Sequence, residues 1–233
     1  MLRIKKSEAF TISEVLIALT LVGIIAVIAM PALMSFKQKA TSVSGFKKIY
    51  SSLKNLVPLS EVDNGSLADW TFTSGNNDGF MNAYLIPYLK ISKNCSTSES
   101  GCWAGGTSPT VNYLNNSGTS NISSYSRIKL DDGIYLALNV TGDGYANILV
   151  DIDGKSGENI YGKDVFWFIL TPKALSETFI SVSKEDIYPM GAGINRASIF
   201  TQSPNGCSKS RSGAMCSGLI VEDGFKIASD YPW

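Results

Sequence analysis

The run from Val15 to Met34 limits what this chain can fold into more than any other stretch. It holds twenty residues without a charge, and only Thr20 and Gly23 interrupt its aliphatic texture before Pro31. A helix needs about 20 such residues to cross the hydrocarbon core of a bilayer. Arg3, Lys5 and Lys6 precede the run against one acid, Glu8. A basic flank stays on the cytoplasmic side, so the chain beyond Met34 is expected to face outward.

One carboxylate, Glu14, sits at the mouth of this run. A cleaved secretory signal would have a shorter apolar core, about 7–15 residues. A plain anchor would have the length but no reason for the acid, which costs roughly 2.5–3.5 kcal/mol at a bilayer centre and less near its edge. A cut between Ala9 and Phe10 supplies that reason. The new α-amino group of Phe10 would be positive, and Glu14 would lie four residues along the same helix face. In an array of parallel helices, Glu14 of one chain would meet the Phe10 amine of the next and fix the register between them.

The segment "AFTISE" resembles the processing site of type IV prepilins and pseudopilins, written G-F-T-L-x-E. The resemblance implies that residues 1–9 are a leader removed by a prepilin peptidase, which then N-methylates Phe10. It implies that Glu14 serves assembly, and Gly23 and Pro31 match a glycine and a helix-kinking proline common in that family. Ala9 stands where the family prefers glycine. Implied partners are further copies of this chain, other pilin-like subunits, the peptidase and an inner-membrane assembly platform. The implied location is the bacterial inner membrane with the head outside the cytoplasm, then a periplasmic or extracellular filament.

Beyond the apolar run, Phe36, Ala40, Val43, Phe46, Tyr50, Leu53 and Val57 recur in steps of three and four. Those steps put one stripe on a helix. The expected helix covers residues 10–57, with 10–34 its membrane and assembly half, and Pro58 and "DNG" mark its end. At roughly 1.5 Å per residue it would be about 70 Å long. Lys37, Lys39, Lys47, Lys48 and Lys54 fall largely outside the stripe and read as a solvated face.

Composition narrows the function. The chain carries 20 basic and 20 acidic side chains, and without residues 1–9 it has 17 against 19. No net field draws nucleic acid or an acidic substrate. There is no histidine, which removes His-based triads and His metal ligands. No phosphate-binding loop, dinucleotide fingerprint or nucleophile elbow is present, and no enzymatic activity is expected.

The head, residues 58–233, opens on turn-rich sequence to about residue 126, with "GFMNAYLIPYL" (79–89) as an apolar exception expected to be a short helix. Strands follow: "RIKL", "IYLALNV", "YANILVDI" and "DVFWFIL", with Asp132-Gly133 and "TGDG" as tight connections. The expected fold class is α+β and pilin-like: a long N-terminal helix, membrane-spanning in its first half, packed on an antiparallel β-sheet head with disulfide-stapled loops. Tyr135, Phe166, Trp167 and Phe168 read as core or cross-strand packing.

The polar loop 150–166 leaves two roles open. Asp151, Asp153 and Asp164, with Glu158 or Asn159, offer oxygen ligands suited to calcium, the one cofactor the sequence suggests. The same residues would equally make a long turn in which Asp caps backbone amides and Gly supplies positive φ. Four cysteines allow three pairings. The local pairs Cys95–Cys102 and Cys207–Cys216 are expected, because each lies in a loop-rich segment of an exported domain. A Cys₄ zinc site would lack any C-x-x-C spacing. Two functions stand: a structural subunit of a type IV pilus-like filament, or a minor pilin or pseudopilin of a type II secretion or DNA-uptake system that binds a surface or ligand at the tip.

Overall fold

A computed structural model describes residues 11–106, 108–154 and 158–233. The chain divides into two compact units, residues 1–41 and 42–233, with helix α1 (Ile12–Asn64) running through both. The other α-helices among the described residues are α2 (Asn77–Phe80), α3 (Arg196–Thr201) and α4 (Cys216–Glu222). The strands are β1 (Ile91–Ser96), β2 (Thr110–Asn112), β3 (Thr119–Asn121), β4 (Ser126–Leu130), β5 (Tyr135–Val140), β6 (Ala146–Asp151), β7 (Val165–Thr171), β8 (Leu175–Glu177), β9 (Ile180–Val182) and β10 (Asp186–Pro189).

In the first unit the described residues from Ile12 onward belong to α1, which is apolar from Val15 to Met34. Ile12, Leu16, Val22, Ile25 and Ile28 are all exposed. It is a helix long and apolar enough to cross a membrane. Helical hydrogen bonding inside the segment satisfies its own backbone, as a lipid-facing segment requires.

The second unit is built on an antiparallel sheet ordered β1-β4-β5-β6-β7-β10. Along β5 to β7 alternate residues point to opposite faces. Leu136, Leu138, Ile148, Val150, Phe166 and Phe168 meet α1, where Phe46, Ile49, Leu53, Leu56 and Val57 are buried. The Phe46 ring packs edge-on to Phe166 at 4.9 Å and stacks on Phe168 at 5.5 Å. Two ion pairs also fasten this part of α1, Lys48 to Asp132 in the β4–β5 turn at 2.7 Å and Lys54 to Asp186 of β10 at 2.6 Å.

The opposite face is covered too. Tyr135, Ala137, Leu149 and Val165 pack under Trp103, Val111, Ile122 and Tyr161, which the β2–β3 hairpin and neighbouring loops supply. A sheet buried on both faces needs no polar alternation, which is why "ILVD" and "VFWFIL" read as continuous apolar runs.

Three boundaries differ from the sequence reading. The helix does not stop at Pro58 but runs on to Asn64. Pro58 lies on the exposed side, and the one helical bond it cannot make, to the Lys54 carbonyl, is outweighed by the burial of Leu56, Val57 and Ser60 beside it. The stop comes at Gly65, whose φ of +76° ends the helix as its N–H bonds the Glu61 carbonyl at 3.0 Å. The buried seam also starts later than the stripe suggested: Phe36 and Ala40 are exposed, and burial begins at Ser42. Finally, β1 and β10 add an edge on each side of the expected meander of three or four strands.

The 79–89 segment is helical, as α2, a π turn over Met81–Leu85 and a 3₁₀ turn over Ile86–Tyr88. Disulfides join Cys95 to Cys102 and Cys207 to Cys216.

Candidate functional site

The N-terminal candidate is built on the first turn of α1. Thr11 precedes the helix, and its N–H and hydroxyl both donate to Glu14 Oε2 at 2.8 Å. In return the Thr11 hydroxyl oxygen accepts from the Glu14 N–H at 3.3 Å. This is a reciprocal capping box: two otherwise unpaired amides at a helix start are satisfied by side chains three residues apart. The sequence signal for it is the spacing T-x-x-E in "TISE", and it gives Glu14 a local role as a helix cap. Ala9 and Phe10 lie outside the described residues. Pro31 lies inside α1, which continues through it.

The second candidate is the loop between β6 and β7. Asp151 ends β6 on the second face of the sheet and is fully buried. Its Oδ1 accepts from the Asp153 and Gly154 amides at 3.1 and 2.8 Å, and Gly154 turns the chain at a φ of +75°. Asp164 closes the far side, its Oδ1 accepting from the Ile160 amide at 2.6 Å. Asn159 is buried, and its backbone carbonyl accepts from the Asn112 amide at 2.7 Å, while Glu158 is exposed. The C-terminal segment clamps the same loop: the Tyr231 hydroxyl and the Trp233 indole N–H both donate to the Gly162 carbonyl, at 2.7 and 2.8 Å.

Calcium would need several of these oxygens directed at one point. One oxygen each of Asp151 and Asp164 is turned to backbone amides, and Glu158 is out in solvent. Among the described residues no group of three His, Cys, Asp or Glu side chains is placed to hold a metal ion. What the arrangement does chemically is hold a long turn closed, with Asp153 near enough for its charge to act on both Asp151 and Asp164.

Burial raises the affinity of these acids for protons. It pushes Asp164 up to about 7, with the Asp153 charge adding to the effect and the amide bonds opposing it. Asp151 is raised in the same way, by burial first and then by Asp153 and Asp164. An acid whose folded pKa lies above its unfolded one stabilises the fold most below the unfolded value, near pH 4. That stability is lost as pH rises through about 7. Asp164→Asn keeps the oxygen that accepts from Ile160 and cannot ionise. Thermal unfolding should therefore find it more stable than the parent at pH 8, by about 1–3 kcal/mol, and nearly equal at pH 4. A variant less stable at both pH values would contradict the assignment.

These features define an α+β head on a membrane-length helix. The chain belongs to a family of unknown function (DUF6613), whose profile matches residues 32–233. The match takes in the head and the later part of α1 and leaves Val15–Pro31 outside. No curated protein and no solved structure matches the chain.

Proposed function

We propose that this protein is a structural subunit of a type IV pilus-like filament. In this reading residues 1–9 are removed, Phe10 is N-methylated, and the chain polymerises through the apolar half of α1. The observation that carries it is the row of large apolar side chains exposed between Val15 and Met34, opened by one capped carboxylate and continuing in a single helix to a folded head. Such a surface is soluble in lipid and, outside lipid, only against other apolar helices. Lipid is its place before assembly, and sister helices are its place afterwards.

The two disulfides suit a head exported to an oxidising compartment. Shearing the native cells tests the reading. The protein should sediment with the sheared fraction as a high-molecular-weight polymer. Recovery solely from the membrane, as a detergent-soluble monomer under every growth condition, would sink it.

A further inference from the structure

Outside the core and the two candidates above, the head carries a groove of about 520 Å³ between the β8–β9 hairpin and the segment from Tyr188 to Gly193. Leu175, Ser176, Ser181, Ser183, Tyr188 and Gly193 line it, with further small or aliphatic residues and no charged side chain. From this lining we infer that the groove binds a neutral oligosaccharide. The inference concerns the head alone and holds whether or not the chain polymerises.

The chemistry of the walls selects the class. An ionic ligand would leave water for a groove lined by no charged side chain, where the nearby Lys54 is already paired with Asp186, at a large desolvation cost. A purely apolar ligand would cover three serine hydroxyls without offering them partners. Each hydroxyl both donates and accepts, which matches a ligand that is itself made of hydroxyls. The Tyr188 ring gives the C–H face of a sugar something to lie against. The volume is also within the range of small-ligand sites, about 300–1,000 Å³.

The groove is held open in advance. The Ser181 amide donates to the Ala192 carbonyl, and the Gly191 amide to the Phe179 carbonyl, both at 2.9 Å. Gly193 has a φ of +71°, and a Cβ there would overlap the Ser181 carbonyl, so only glycine lets the two walls approach this closely. Tyr188 is fixed from outside the groove. Lys54 lies 4.6 Å from its ring centroid, and its hydroxyl bonds the Lys184 carbonyl at 3.4 Å. Walls fixed before binding lower the ordering cost that weakens most sugar complexes.

The test uses the full chain in lauryldimethylamine oxide, a detergent without a sugar headgroup, titrated calorimetrically with maltotetraose, cellotetraose and chitotetraose. At least one should bind saturably with a Kd near 1 mM. Ser183→Trp places a large side chain over the groove from an exposed loop and should weaken that binding about tenfold or more without lowering Tm. Tyr188→Phe keeps the ring and should bind within about twofold of the parent. Three results would each overturn the inference. They are no binding of any tetrasaccharide up to about 20 mM, binding that Ser183→Trp leaves unchanged, and preference for a uronic or sulfated oligosaccharide over the neutral ones.

Discussion

Glu14→Gln should leave the protein folded and in the membrane but absent from sheared filaments, and Glu14→Ala should do the same. The comparison between the two variants carries the argument. In the structure Glu14 takes both the N–H and the hydroxyl of Thr11 on one oxygen. Capping of this kind is worth about 0.5–2 kcal/mol to the helix. Glutamine serves in a capping box nearly as well as glutamate, because it keeps an acceptor oxygen. If capping were the whole role of residue 14, Glu14→Gln would assemble normally and only Glu14→Ala would fail. If the charge meets the amine of a neighbouring subunit, both fail, since glutamine cannot neutralise that amine in a lipid-like surrounding. Assembly should drop to background in both. The readout is the amount of protein in the sheared fraction relative to the membrane fraction. Filaments built normally from the glutamine variant would reduce Glu14 to a helix cap.

Arg127→Met should cost about 3–5 kcal/mol, lowering Tm by roughly 10 °C. Arg127 is 2% exposed. Its Nη1 donates to the Ile122 and Ser123 carbonyls at 3.2 and 3.1 Å, and its Nη2 to those of Thr97 and Glu99 at 2.9 and 3.2 Å. Two carbonyls belong to the loop closed by Cys95–Cys102, and two to the connection from β3 to β4. One side chain therefore supplies donors to two irregular segments that cannot satisfy each other. Burial pulls the Arg127 pKa down, and the nearby Asp78 charge opposes that shift. Methionine fills much of the volume but leaves the Thr97, Glu99 and Ser123 carbonyls without these donors, at about 1–3 kcal/mol each where water cannot enter and less where it can, while the Ile122 carbonyl keeps the Tyr125 N–H at 3.0 Å. Arg127→Lys keeps the charge but not the planar fork, so it should recover only part of the loss. Thermal unfolding of both variants in detergent decides it. A methionine variant within about 0.5 kcal/mol of the parent would mean that water already serves those carbonyls.

The sequence was most legible where chain-local physics decides the structure. Twenty uncharged residues can only be a helix in lipid or in a dense core, and Asp132-Gly133 between apolar runs names a hairpin. Gly65 ends α1 as the "DNG" signal indicates. Where the structure differs, the deciding forces are tertiary. Pro58 argues locally for a stop, and the packing of Leu56, Val57 and Ser60 overrides it. The edge strands "ISKNCS" and "DIYP" are largely polar or short, because one side of each is left to solvent, so neither has a strand's usual texture. β1 departs further from a regular pattern through two register shifts against β4. The second core depends on Trp103, Val111 and Ile122 from the turn-rich opening of the head and on Tyr161 from the polar loop 150–166, two stretches that both read as loop. For the sites, the spacing T-x-x-E made the partner of Glu14 visible in principle. The groove had no such signal, since serines, alanines and a tyrosine at ordinary spacing acquire meaning only once the hairpin folds against β10.

Leader removal is the step on which the filament reading depends, and the mass of the N-terminal peptide from protein isolated from its own cells tests it most directly. The account predicts a peptide that begins at Phe10 and carries one added methyl group. That result would place the positive amine four residues from Glu14, where the assembly role requires it. A chain retaining Met1 would be a plain membrane anchor, and one starting after Ala32 would be a secreted domain. Either result would contradict the account.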